Sequence, residues 1–274
     1  MQKFKQRIIN INRYVSRYSL EKFSQFWNLI FILTNNSLRF KVNEDHTYLF
    51  ISDNEHELYI SQKERAWFYF ISIKNRFKSL GEMYFFDKVQ FGNNDIIIDC
   101  GANIGEIYNT LKLFTDNNFY YYGFEPVQSE FELVQLNTIN QISRPLALYD
   151  KNEFKKLYTY TAGADSTLLQ DDRYHDGGLV ECIRLDSLDE LAGKKIKLLK
   201  LEAEGAEMEV LIGSDNILEN IEYISADVGF ELNQGKESNE AEVIEYLLAK
   251  NFIKIASNAR HVNLFKNQKF LHVN

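Results

Sequence analysis

The chain has 274 residues, 45% of them hydrophobic, with a formal net charge of −8 and only two cysteines. That length and apolar content suit one α/β domain with an appendage, or two small domains, with room for a large core. The acidic balance argues against a nucleic-acid binder that works by phosphate neutralisation, and two cysteines exclude a disulfide framework and point to a reducing cytoplasm.

The charge is uneven. Eight Lys or Arg stand against Glu21 alone in residues 1–41, a local +7 that leaves −15 for the remainder. Within this segment Phe4, Ile8, Ile11, Val15 and Tyr18 recur in steps of four and three, beside Lys3, Arg7, Arg13 and Arg17. This is the pattern of a basic amphipathic helix. Such a helix packs on the main domain or on a second subunit, giving a homodimer, or it makes a peripheral contact with an anionic membrane. Phe26, Trp27, Ile30 and Phe31 predict a second helix whose apolar surface is buried. The run 23–33 is too short to cross a bilayer and lacks a small-residue cleavage site, so the protein reads as soluble.

Three short strands, 38–42, 48–52 and 57–60, separated by polar turns, predict a small antiparallel cap. Helical patterns over 63–77 and 80–89 then lead to the segment 94–111. We divide the chain into an N-terminal helical and β extension, 1–86, and a main domain, 87–274.

Ile96, Ile97 and Ile98 form a β-branched run suited to a strand buried on both faces, and Asp99 ends it. Gly101 and Gly105 bracket a tight turn; Ile107, Leu111 and Phe114 then repeat at helical spacing. Strand, glycine loop and helix make the nucleoside-binding turn of a doubly wound sheet, with the ligand beyond the carboxyl ends of the strands. A second strand, 120–124, ends in Glu125, about 20 residues past Gly105, where an acid can hold a ribose by both hydroxyls. A dinucleotide fingerprint needs a third glycine, but Ile107 and Tyr108 occupy that neighbourhood. An adenosine ligand without a pyrophosphate fits better, and S-adenosyl-L-methionine is such a molecule.

A helix is expected over 129–140 and a strand over 145–149, whose Ala147 and Leu148 are candidates to meet an adenine. A strand at 157–161 leads to a polar loop with Arg173 and His175. A further strand, 179–185, precedes a helix start at Asp186. The fourth core strand, 196–201, delivers Glu202 and Glu204 at its carboxyl end; a helix over 205–212 follows, which Gly213 can terminate. A fifth strand, 221–228, a helix, 240–249, and two last strands, 252–256 and 262–265, complete the sheet.

The stretches DCGANIGE, YGFEP, RLDSLDEL, LKLEAEGAEMEVLIG and ADVGFE, in order from Asp99 to Glu231, together resemble those of the FkbM-type methyltransferase family. The resemblance implies the Rossmann-like class I methyltransferase fold, with a seven-stranded, mostly parallel sheet, a reversed last strand and helices on both faces. It also implies transfer of a methyl group from S-adenosyl-L-methionine, usually to oxygen, often on a sugar or natural product. Residue by residue, it places Asp99, Gly101, Asn103 and Gly105 around the methionine end of the cofactor and Glu125 on the ribose. Glu202 and Glu204 match the acidic pair bordering cofactor and substrate, with Glu202 standing where many relatives carry aspartate.

A sugar hydroxyl is a poor nucleophile until it loses its proton, so a base would help by roughly 10²–10⁴-fold. Glu202, Glu204 and His175 are the first candidates, with Asp227 and Glu231 at the mouth of the fifth strand. These acids and Asp165 could supply oxygen ligands, but no spacing marks a metal site and none is assigned. The acceptor expected is a small molecule or glycan. A nicotinamide-dependent enzyme and a non-catalytic scaffold of the same fold remain as alternative readings.

Overall fold

A computed structural model describes residues 2–159, 166–169, 175–229 and 238–271, so Asp165, Arg173 and Glu231 lie outside the described residues. It divides into two units, Met1–Ser79 and Leu80–Asn274.

The first unit opens with α1 (Gln2–Val15) and α2 (Leu20–Leu33), followed by a three-stranded antiparallel sheet of β1 (Arg39–Val42), β2 (Leu49–Ser52) and β3 (Glu57–Ile60). The cap is therefore formed as expected, with Arg39 paired to Ser52 and Leu49 to Ile60. Phe23, Trp27 and Phe31 of α2 are buried against it, with Phe23 stacked on Phe40. The first helix turns a different side inward from the one its apolar spacing suggests. Asn12, Val15 and Ser16 are buried while Ile11 and Tyr18 are 45% and 44% exposed. The Asn12 side-chain amide donates to the carbonyls of Lys63 and Glu64, which a buried amide needs. The segment 63–77 is not one helix: a 3₁₀ turn, Lys63–Tyr69, precedes α3 (Ile73–Met83), inside which the unit boundary falls.

In the second unit, β4 (Asp95–Cys100), α4 (Glu106–Phe114), β5 (Phe119–Phe124), α5 (Gln128–Asn137) and β6 (Ile142–Arg144) build one wing of a sheet. The chain then forms a side sheet from β7 (Ala147–Leu148), β8 (Glu153–Thr159), β9 (Ser166–Thr167) and β10 (His175–Ile183). It returns as β11 (Ile196–Leu201), α6 (Glu207–Ile212), β12 (Ile221–Asp227), α7 (Glu240–Ala249), β13 (Phe252–Ser257) and β14 (Val262–Asn267). The main sheet has seven strands in the order β13, β14, β12, β11, β4, β5, β6, with β14 antiparallel to both neighbours and the rest parallel.

Alternate residues of the inner strands fill two cores, which is what a parallel sheet covered on both faces requires. Ile97 and Leu198 pack with Ile107 and Leu111 of α4, whereas Ile98 and Leu199 pack with Val210 of α6 and Leu247 of α7. The strand order reverses between β4 and β11. A crevice outside the carboxyl ends of the strands is expected at such a switch point.

Candidate active site

β4 ends at Cys100, and the chain turns because Gly101 adopts a left-handed φ of +72°. A Cβ there would lie 2.2 Å from the Glu202 carbonyl oxygen, so only glycine lets the ends of β4 and β11 approach this closely. The amides of Gly101 and Ala102 both donate to the Phe124 carbonyl, at 3.0 and 2.9 Å. Asn103 (φ +50°) and Gly105 (φ +81°) complete the loop and open α4.

Glu125 follows β5 and is buried. Its Oε2 accepts the Asn103 amide at 2.8 Å and its Oε1 accepts the Val127 amide at 2.9 Å. Burial pushes its carboxyl up to about 8, against the lowering effect of those two amides. In its ionised form each of its oxygens has a second lone pair, so the group can then accept both hydroxyls of a ribose. This donor and acceptor set fits the adenosine part of S-adenosyl-L-methionine.

Beneath the loop lies a residue that the sequence reading did not single out. Lys200, the penultimate residue of β11, is 1% exposed. Its Nζ donates to the carbonyls of Gly101 and Cys100 at 2.7 and 3.1 Å, and pairs with Asp99 Oδ1 at 3.1 Å and Glu202 Oε2 at 2.9 Å. Burial alone would lower its ammonium; the carboxylates of Asp99 and Glu202 outweigh that and hold it above its ordinary value. Two lysines inside an otherwise apolar strand, KLLKL, were the available signal, since such groups are retained only where they are paired. Asp99 is fully buried, with Oδ2 accepting the Tyr121 hydroxyl at 2.5 Å, so it acts on the loop through Lys200.

Glu202 leaves β11 with its side chain 37% exposed, and its Oε2 also accepts the Tyr84 hydroxyl at 2.7 Å. Tyr84 is buried and has no sequence signature of its own. Asp227 ends the neighbouring β12; burial and the charge of Glu202 raise its carboxyl to about 6, opposed by Arg260 and Lys200. The two acids thus stand at the carboxyl ends of adjacent parallel strands. The turn beyond Glu202 is held by Glu207, whose Oε1 accepts the amides of Ala203 and Gly205 and whose Oε2 accepts the Asn239 side-chain amide at 2.6 Å.

Glu204 lies in that turn at φ +48°, and its carbonyl accepts the Thr167 hydroxyl of β9 at 2.8 Å. The helix starts at Glu207 rather than Gly205, so Glu204 does not open it. His175 is exposed at the start of β10; its pairing partner Thr159 also pairs with Ser166, next to Thr167. Ala147 and Leu148 are 7% and 3% exposed, and both pack in apolar clusters. Cys100 and Cys182 are buried and unpaired, and burial raises the thiol of each, to about 11 for Cys182.

Residues 99–254 match the family profile described as Methyltransferase FkbM domain. A search of curated proteins returns no match. Among solved structures, the chain is similar to the methyltransferase FkbM from Methylobacillus flagellatus KT, at 13% identity and a TM-score of 0.45, covering 74% of this chain and 54% of that one. The chain thus spans about half the length of that relative. It is also similar to the plantazolicin methyltransferase BpumL in complex with SAH, at 6% identity and a TM-score of 0.43, covering 72% of this chain and 85% of that one. The METTL16 methyltransferase domain gives 11% identity and a TM-score of 0.44, covering 83% and 86%.

Proposed function

Because the chain belongs to the FkbM methyltransferase family, an S-adenosyl-L-methionine-dependent family, we propose that it methylates a hydroxyl oxygen of a sugar, glycan or related metabolite in the cytoplasm. The observation that carries the choice of oxygen is the acidic pair at the strand ends. Glu202 has its charge balanced by Lys200 and its side chain held in place by the Tyr84 hydroxyl. It is therefore suited to orient an acceptor hydroxyl by hydrogen bonding. Asp227, raised to about 6, is ionised at neutral pH yet keeps enough basicity to take the hydroxyl proton. Glu204 and His175 stay as candidates for contacts further out.

When bound, S-adenosyl-L-methionine supplies an already activated methyl group. The chain's own residues then have to align the acceptor and exclude water, which is the larger part of the catalysis. Glu125 holds the ribose, and the loop 101–105, fixed from below by Lys200, sets how near the methionine end comes to Glu202. The two thiols, buried and unpaired, suit a reducing compartment.

The test is transfer of isotopically labelled methyl to a panel of saccharides, polypeptides and RNA. Label recovered in saccharide and stable to mild alkali, as an ether is and an ester is not, supports the proposal. Label confined to polypeptide or RNA contradicts it.

A further inference from the structure

We propose that the outer face of α2, carried on a unit of net positive charge, docks on an anionic lipid bilayer. The helix is apolar on two opposite sides. Phe23, Trp27 and Phe31 are buried against the small sheet, whereas Phe26, Leu29 and Leu33 are 38%, 56% and 73% exposed, with Ile32 at 60% beside them. At 100° per residue, Lys22, Phe26, Leu29 and Leu33 fall within one narrow stripe facing away from the buried side. Scattered exposed apolar residues need no explanation; three on one helical stripe do, because a soluble helix keeps that face polar.

Charge identifies the partner. Residues 1–79 carry 13 Lys or Arg against 7 Asp or Glu, a net +6, which leaves −14 for residues 80–274. All eight basic side chains of residues 1–41 are exposed, and the one acid, Glu21, pairs with His46. Tyr14 and Tyr18 of the preceding segment are 58% and 44% exposed, with their hydroxyls 3.2 Å apart. Amphipathic phenols beside Arg13 and Arg17 are the side chains that settle at a lipid headgroup boundary. A bilayer rich in anionic lipid satisfies both features: its acyl boundary takes Phe26, Leu29 and Leu33, and its surface charge attracts the cationic unit. A second copy of the same face would bring like charges together.

The test is sedimentation of the full chain with vesicles of phosphatidylcholine alone and with about 30% phosphatidylglycerol. We expect at least tenfold tighter binding to the anionic vesicles, weakened by added salt. Leu29→Glu with Leu33→Glu should lower that binding at least tenfold while leaving affinity for S-adenosyl-L-methionine unchanged. Should that variant fold poorly, Arg13→Glu with Arg17→Glu gives an independent reading of the charge. Equal binding to both vesicle types, or none to either, overturns the proposal. So does a dimer in solution that the leucine variant dissociates without changing vesicle binding, which would assign the stripe to a second copy.

Discussion

At the scale of single residues, Lys200 decides whether the site exists as drawn. It joins two loop carbonyls and two carboxylates in a buried place, and removing one partner of such a set leaves charge uncompensated. Lys200→Met is expected to destabilise the protein by about 3–5 kcal/mol in chemical denaturation, and adding Asp99→Asn should recover part of that loss. Simple additivity of the two would mean the pair is not coupled. Glu125→Ala should weaken S-adenosyl-L-methionine binding at least tenfold by calorimetry. Because it also strands the amides of Asn103 and Val127, some loss of stability will accompany it. Asp227 makes a prediction about pH. With its carboxyl at about 6, kcat/KM should rise with pH through that value and level off, and Asp227→Asn should remove the limb and cost roughly 10²–10⁴ in rate. A limb that persists in the variant would assign the proton to another group.

At the scale of elements, the glycine turn is the tightest constraint. Gly101→Ala places a methyl group 2.2 Å from the Glu202 carbonyl at a φ that L-residues avoid. Cofactor affinity should therefore fall with the fold largely retained, measurable as lost calorimetric heat alongside an unchanged far-ultraviolet spectrum. This turn was legible in the sequence, as were β11 and α7, because continuous apolar runs and a helical period depend on local pattern. Elements whose partners are distant in the chain were not. The strand expected over 145–149 divides in the structure: Pro145 has no N–H to extend the ladder, so β6 stops at Arg144 and Ala147–Leu148 pair with β10 instead. The helix expected from Asp186 is two 3₁₀ turns, and Leu185, Leu188 and Leu191 are buried at every third position, the period of that helix. Gly213 follows α6 with an ordinary φ of −69°; it is small because a Cβ would meet the Tyr149 carbonyl at 1.9 Å. The expectation that the apolar surface of the second helix is buried holds for Trp27 and Phe31 but not for Phe26, since spacing cannot say that only one of two apolar sides of α2 finds a partner.

At the scale of the whole molecule, no described helix is long and apolar enough to cross a membrane, and the charge is split between a basic first unit and an acidic second one. Stability should carry the mark of the buried site. Glu125 is raised from 4.5 to about 8 on folding, so the folded form holds its proton more tightly than the unfolded form. That contribution is fully present below pH 4.5 and is lost as pH rises through about 8. Denaturation of the wild type should show the decline, and Glu125→Gln should flatten it. The most direct single measurement is titration of the full chain with S-adenosyl-L-methionine. Saturable binding at one site and a rise in melting temperature are expected, by mass action a stabilisation of about 2.7 kcal/mol at a hundredfold excess over Kd. Absence of binding, or tighter binding of NAD in its place, would contradict this.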